Sequence, residues 1–370
     1  MHKRGELEKK MDAKITKLRL SRMLSYDWIK IAAVAVAGIF AWVLIFTMTA
    51  TRIKPSQQFG VMNFLGNASF NATYFYDDFE KTMKGDVFSY EVIESAVCDL
   101  AATPDQAGTL MEARLATNEV DVVFAANVEN VDAKWEVTDE YGETTTKNPT
   151  YLEQLVSNRW YQLMNLDLES EAGFFKKMES YVNQFYNEPQ DFKAATMEMG
   201  AKEPDAQKVE RAFRARAKKN KDKRYKKEKD IQKGVANDVQ RIKKYYGALV
   251  EFYDYLEEGY VEMTTVVLDE HNTGVFGINL CPNEETMGDL KKVAAYNQYY
   301  YVDENGQEVS VDTSSDSSDS SEEFSYTLTS KLSAKDMNIA FFRLEVEEGF
   351  QYESLLYVNH LVRTYRTAQE

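Results

Sequence analysis

The sequence predicts an α/β domain with a long helical middle section, held behind one transmembrane helix. Three observations predict it. An uncharged run of 20 residues, Ile31 to Ala50 (IAAVAVAGIFAWVLIFTMTA), lies near the start. Strand-like and helix-like hydrophobic periods alternate from Gln58 to Ala125. A helical pattern then runs from about 203 to 258, with Val235, Val239, Ile242, Tyr246, Leu249, Tyr253 and Leu256 stepping by four and three as one apolar stripe.

At ~1.5 Å per residue the apolar run measures ~30 Å, the thickness of a bilayer's hydrocarbon core. Residues 1–30 hold nine Lys/Arg against four acids, whereas only Arg52 and Lys54 follow within twenty residues of the run. Positive charge stays cytoplasmic, so the N-terminus is expected inside and residues 51–370 outside, as a single-pass protein of the cell membrane. A cleaved signal peptide is the alternative, but its apolar region is usually about 7–15 residues long.

The chain nets −16 and its first 30 residues +5, which leaves −21 on residues 31–370. Such a charge favours solubility and works against contact with anionic surfaces. With 23 Tyr and 20 Phe, the exported part can bury a large core. Two cysteines, Cys98 and Cys281, are too few for a disulfide scaffold. Pairing and two separate buried thiols both remain open for them.

Along the exported part, Phe59–Leu65 reads as a strand and Ala72–Lys84 as a helix stopped by Gly85. Val87–Ile93 alternates like a strand, Thr103-Pro104-Asp105 opens a helix to about Thr117, and Asp121–Ala125 is a short buried strand. This is β-α-β-α-β, with crossovers long enough for parallel strands. Lys134–Thr146 looks like a hairpin, followed by helices at about 150–165 and 171–186. After the long helical stretch come strands at 262–268 and 274–280, a helix near 284–297 and a hairpin around Asp303-Glu304-Asn305-Gly306. Residues 313–323 (TSSDSSDSSEE) carry nothing to bury and are expected as a disordered loop. Strands at Phe324–Leu332 and Ile339–Val346 precede a last helix at about 350–367.

No catalytic constellation stands out. His2, His271 and His360 lack a second ligand at metal spacing, and no G-x-S-x-G, P-loop or G-x-G-x-x-G occurs. Glycoside hydrolysis needs two carboxyls ~5–10 Å apart, which abundance of acids does not supply. Asp316 and Asp319 lack the alternate spacing and central Gly of a calcium loop. The reading is noncatalytic, with no cofactor or metal. Lys208–Lys229 holds 12 Lys/Arg against three acids, a local +9 that leaves −30 on the rest of the exported part. Outside a cell this points away from nucleic acid. The segment is a solvated face, a face packed on the acidic remainder, or a contact for a partner or anionic surface.

The segment from Val87 to Val128 (VFSYEVIES…LMEARLATNEVDVVFAANV) resembles extracellular solute-binding proteins of ABC transporters, especially the sugar-type group. In that family a helix carrying small residues and an Arg, a short turn and a D-V-V-F strand follow one another. Here they match Leu110–Leu115, Thr117–Glu119 and Asp121–Phe124. Gly277-Ile278-Asn279-Leu280 resembles the family's G-I-x-L strand, and YESLLYVNHLVRTY its closing helix. The head, YDWIKIAAVAVAGIFAW with TRIKPSQQF, looks like membrane-anchored versions from Gram-positive bacteria. In such a chain the N-glycosylation patterns at Asn67 and Asn71 carry no meaning. Two features depart from the family: the lipoprotein cysteine is absent, and a basic helical section stands where a second α/β lobe is usual.

The resemblance implies a type II periplasmic-binding-protein-like fold that captures a small solute, in particular a saccharide, for an ABC permease. Ligands in open α/β sheets sit beyond the carboxyl ends of the strands. By the reading above those ends lie near Asn67, Ser95 and Asn127, whose side chains suit a hydroxylated ligand but equally suit caps and turns. Trp135 and Tyr141 would offer a stacking face for a sugar ring, or pack across their hairpin. The second functional reading is an accessory or assembly subunit of a membrane complex that binds no solute. In it Lys218, Lys219, Lys226 and Lys227 touch a partner or an anionic surface.

Overall fold

The computed structural model describes residues 17–26, 28–49, 53–64, 69–101, 104–130, 133–138, 144–196, 201–267, 273–302, 306–309, 327–343 and 349–366. It comprises two compact units, one within residues 1–53 and one over Lys54–Glu370. The first holds α1 (Lys17–Tyr26) and α2 (Trp28–Thr49). From Trp28 to Phe46, α2 is long and apolar enough to cross a membrane, starting three residues before the predicted run. Val34, Ile39, Trp42 and Phe46 are all exposed within their unit. An apolar helix with no core to join needs apolar surroundings from elsewhere.

The second unit begins β1 (Gln58–Asn63), β2 (Ser69–Phe70), α3 (Ala72–Asp78), β3 (Glu94–Asp99), α4 (Ala107–Ala116), β4 (Val122–Ala126), β5 (Trp135–Thr138), β6 (Thr144–Lys147) and α5 (Tyr151–Arg159). It continues α6 (Phe174–Asn183), α7 (Ala206–Lys219), α8 (Glu228–Glu257), β7 (Glu262–Val267), β8 (Thr273–Asn279), α9 (Glu284–Met287), β9 (Ala294–Val302), β10 (Glu308–Val309), β11 (Thr327–Ser333), β12 (Met337–Phe341) and α10 (Glu353–Tyr365).

Six strands form one sheet in the order β3-β1-β4-β12-β8-β7. β1 pairs in parallel with both β3 and β4, so the β-α-β-α-β reading holds, with α3 and α4 on the crossovers. β12 inserts antiparallel between β4 and β8, and β7 closes the far edge. Alternation along the strands divides the core. Phe59, Val61, Phe124, Ile339 and Phe341 face the larger side, which α6, α8 and α10 cover. Met62, Cys98, Val123, Ala125 and Ala340 face the other, under Met111 of α4 and Leu152, Leu155 and Val156 of α5. The arrangement is a sheet between two helical layers. A smaller antiparallel sheet joins β10, β9 and β11, with β2 also paired to β9.

The sheet begins at a tight crossing. A side chain on Gly60 would lie 1.8 Å from the Glu119 carbonyl oxygen, so only glycine fits there. Across that contact the Gly60 amide donates to Asp121 Oδ2 (2.7 Å), and the Asp121 amide donates to the Gly60 carbonyl (2.9 Å). Asp121, the acid of the D-V-V-F strand, is therefore a buried structural residue.

Four sequence expectations are corrected. Val87–Ile93 is not a strand: Phe88, Ser89, Glu91 and Val92 are all buried in an irregular segment, apolar and polar alike, so the polar alternation does not divide an inner face from an outer one. The strand is Glu94–Asp99. The helix near 284–297 is one α-turn and a 3-10 turn, after which the tyrosine-rich β9 begins, as β-prone aromatics favour. The stretch 203–258 is two helices broken at Asn220-Lys221-Asp222, where Lys221 has φ +50°. There the Asp222 carboxylate accepts from the Arg224 amide, a local bond that competes with helix continuation. Gly234 lets α8 meet α7, because a side chain there would lie 2.1 Å from the Phe213 ring. Within α8 the predicted stripe is buried or half-buried throughout. Finally, Ser95 stands at the amino end of β3, opposite Phe59, and not at a carboxyl end. The 313–323 segment lies outside the described residues.

Cys98 and Cys281 are free, buried and on opposite faces of the sheet, and burial pushes their thiols up to about 11 and about 12. Neither should react with a maleimide at pH 7 in the folded chain, and both should react in denaturant; mass spectrometry of the adducts checks this. Burial also raises the Asp121 carboxyl to about 8, against the pull of the Gly60 amide and with help from the Glu353 charge. The folded form thus holds a proton that the unfolded chain releases near 3.8. That contribution to stability is complete below about pH 4, declines as pH rises and is gone above about pH 8. In urea titrations the wild-type unfolding free energy should fall relative to that of Asp121→Asn across this window, by at most ~1.4 kcal/mol per pH unit.

Candidate functional site

The basic segment folds into a tip made of the end of α7, the turn 220–227 and the start of α8. Its arginines and lysines part company. Arg216 reaches inward to both oxygens of the buried Asp238 (2.9 Å each), over the rings of Phe213 and Phe350. Tyr90 donates to the same carboxylate (3.1 Å). Asp238 also accepts from the fully buried Arg241 of α8 (3.0 Å), whose guanidinium donates onward to the Gly349 carbonyl (3.0 Å) and the Tyr181 hydroxyl (2.8 Å). Burial works to raise Asp238, but the charges of Arg241 and Arg216 outweigh it and hold the carboxyl below its usual range. Arg224 clamps the buried Glu91 with two bonds (2.9 and 3.1 Å) and also holds Asp222. Arg214 bridges Glu210 and Glu228 across the turn. These arginines tie the tip to α8 and to the segment before β3.

Lys208, at the start of α7, donates to the Tyr186 carbonyl, but the lysines from Lys218 onward do none of this. Lys218, Lys219, Lys221, Lys223, Lys226, Lys227 and Lys229, with Arg211, are exposed, and among the described residues none has a side-chain hydrogen bond or ion pair. Four of them, Lys218, Lys221, Lys223 and Lys226, rim a shallow basin of about 410 Å³ with Phe213 and Tyr225 at its wall. The four lysines marked from the sequence are thus on one tip, and Lys221 and Lys223 belong with them. Seven lysines in twelve residues repel one another. An acidic counter-surface relieves that repulsion, and among the described residues no acid pairs with these lysines.

The residues marked for a solute are placed differently. Asn67 and Tyr141 lie outside the described residues, as does His271. Ser95 is at the opposite end of the sheet from Asn127, which is exposed just after β4, its amide donating to the Asp336 carbonyl (2.8 Å). Trp135 is half-buried in the β5–β6 hairpin, directly opposite Lys147, whose ammonium lies 5.7 Å from the ring centre. One residue was missed. Asn63 ends β1 with its Oδ1 accepting from the Leu100 amide (2.9 Å) and its buried Nδ2 unpartnered. The signal was a polar residue inside the apolar run Phe59–Leu65, which was read as strand throughout.

His360 is a packed histidine, with Nε2 2.6 Å from Asp78 Oδ2. Burial acts to raise Asp78, and the hydrogen bond and charge of His360 overcome it and lower the carboxyl. Among the described residues no group of three or more His, Cys, Asp or Glu is placed to hold a metal. No protein-family model, curated protein or solved structure matches this chain.

Lys→Glu changes at Lys218, Lys219, Lys226 and Lys227 should each leave thermal stability within about 0.5 kcal/mol of wild type, since these side chains hold nothing. Asp238→Ala should cost ~3–5 kcal/mol in denaturant titrations, because it strands two guanidinium groups in the interior.

Proposed function

We propose that this chain is a membrane-anchored extracellular binding protein that performs no chemistry of its own and serves as an accessory subunit of a membrane complex. One observation carries the reading: a lysine tip, braced from inside by arginines, projects from an otherwise strongly acidic body. A solvated charge run does not call for such bracing, whereas a contact surface gains from a fixed shape. A tether gives the domain a high effective concentration at its neighbours, so a modest ionic contact suffices.

Solute capture for an ABC-type permease is the second reading, and a specific observation favours it. The chain leaves β1 to one side for β3 and returns to the other side for β4, which makes the β1–β4 boundary a topological switch point. Asn63, with its unpartnered buried amide, stands at the carboxyl end of β1 beside that boundary.

Two measurements separate these. Full-length protein extracted in mild detergent should co-purify with a stoichiometric membrane partner, identified by mass spectrometry. The same sample should show no thermal shift with sugars, oligosaccharides, amino acids or peptides. A saturable shift with one solute class, worth ~2.7 kcal/mol at a hundredfold excess over Kd, would reverse the order of the readings.

A further inference from the structure

We infer that the surface met by the lysine tip is the bilayer that anchors the chain, through the anionic headgroups of its lipids. The inference rests on the membrane-anchored part of the reading above and names lipid, not a protein subunit, as what the tip itself touches; the tip then holds the domain on the bilayer beside its membrane partner. Position supports it first. The folded unit starts at Lys54, and the turn Pro55–Gln57 leads straight into β1. The Gln57 carbonyl accepts from the Ile93 amide (2.9 Å), and two residues before Ile93 stands Glu91, which Arg224 of the tip clamps. Lys54 is close enough to Asp222 of the tip for its charge to help lower that carboxyl, alongside Arg224 and against burial. The tip and the point of chain entry are therefore neighbours within the unit. In sequence Lys54 follows Thr49, the last residue of α2, by five positions.

Chemistry supports it second. The free cations are almost all lysines, compact and flexible point charges, while Arg214, Arg216 and Arg224 are spent on carboxylates of the chain itself. Lysines suit a fluid layer of phosphates and need no fixed bidentate partner. The −30 on the rest of the exported part repels the same surface, so the field turns the tip, and not another face, toward it.

The test uses the full chain in nanodiscs carrying a headgroup-attached energy acceptor, with a donor dye on Asn220→Cys at the tip or Asn127→Cys as control. Cys98 and Cys281, being buried, stay unlabelled. Energy transfer from position 220 should be higher in discs with 30% phosphatidylglycerol than in pure phosphatidylcholine. It should drop to the phosphatidylcholine level in 1 M NaCl, where the screening length is ~3 Å. Each lysine at a charged membrane changes the balance about fivefold. The fourfold Lys→Glu chain (Lys218, Lys219, Lys226, Lys227) should therefore lose at least about a hundredfold in docked population, with position 127 showing no rise in either lipid. Equal transfer in both lipids from a folded, disc-borne chain overturns the inference, as does a salt-independent signal. The wild-type salt series needs no charge-reversed variant, so misfolding of that variant leaves the test intact. A chain that does not co-elute with the discs defeats the anchored reading, and this inference with it. Loss of a co-purifying protein on charge reversal, with no lipid dependence, would assign the tip to that protein instead.

Discussion

One buried carboxylate, Asp238, holds two arginines that arrive from different directions, and the helical half of the large unit is arranged around it. Arg241 lies a turn further along α8 and extends the connection to Tyr181 on α6 and to Gly349 ahead of α10. Arg216 brings in the end of α7, and Tyr90 brings in the segment that leads to β3. Five parts of the chain thus share one set of charge-assisted bonds. Apolar packing would hold these parts with less desolvation, but it sets orientation less strictly than paired donors and acceptors do. Aromatic faces make up the surroundings: the Arg241 guanidinium lies 4.4 Å from the centre of Phe350 and 5.4 Å from that of Tyr245.

The tip inherits its form from that arrangement. A run of twelve cations in 22 residues has to be sorted, and the sorting follows side-chain chemistry. Guanidinium groups present several donors in a plane and tolerate desolvation when a carboxylate faces them, so Arg216 and Arg224 turn inward. Ammonium groups hold their water tightly, and those from Lys218 onward remain outside. What remains outward is a dense cationic surface, unpaired among the described residues, beside the residue with which the folded unit begins.

Much of this was legible locally. The helix period over Val235–Leu256 named the buried stripe of α8, and the strand and helix periods from Phe59 to Ala125 named the first and third of three parallel strands and the crossover helices between them. Two misreadings have a common source. Val87–Ile93 alternates as a strand does, yet its polar Ser89 and Glu91 are buried beside Phe88 and Val92 in an irregular segment, held by partners that no local pattern names: the Ser89 amide by Glu353 and the Glu91 carboxylate by Arg224. That shift of one strand moved Ser95 from the supposed ligand end of the sheet to the other end. The basic run was visible at once, but its division into inward arginines and outward lysines was not. The partners Glu91 and Asp238 sit 133 and 22 residues from the arginines they bind.

The sequence by itself determined an apolar helix long enough for a membrane, an acidic α/β body and a concentrated basic segment. Each of these is a property of neighbouring residues, set by hydrophobic period, length and charge. Only the tertiary structure decided that β12 slips antiparallel between β4 and β8, that Cys98 and Cys281 occupy opposite faces, and that the lysines gather where the chain enters the unit. These depend on strand pairing and on ion pairs between residues far apart along the chain. Their energies exist only once the backbone brings the partners together, so no local pattern records them.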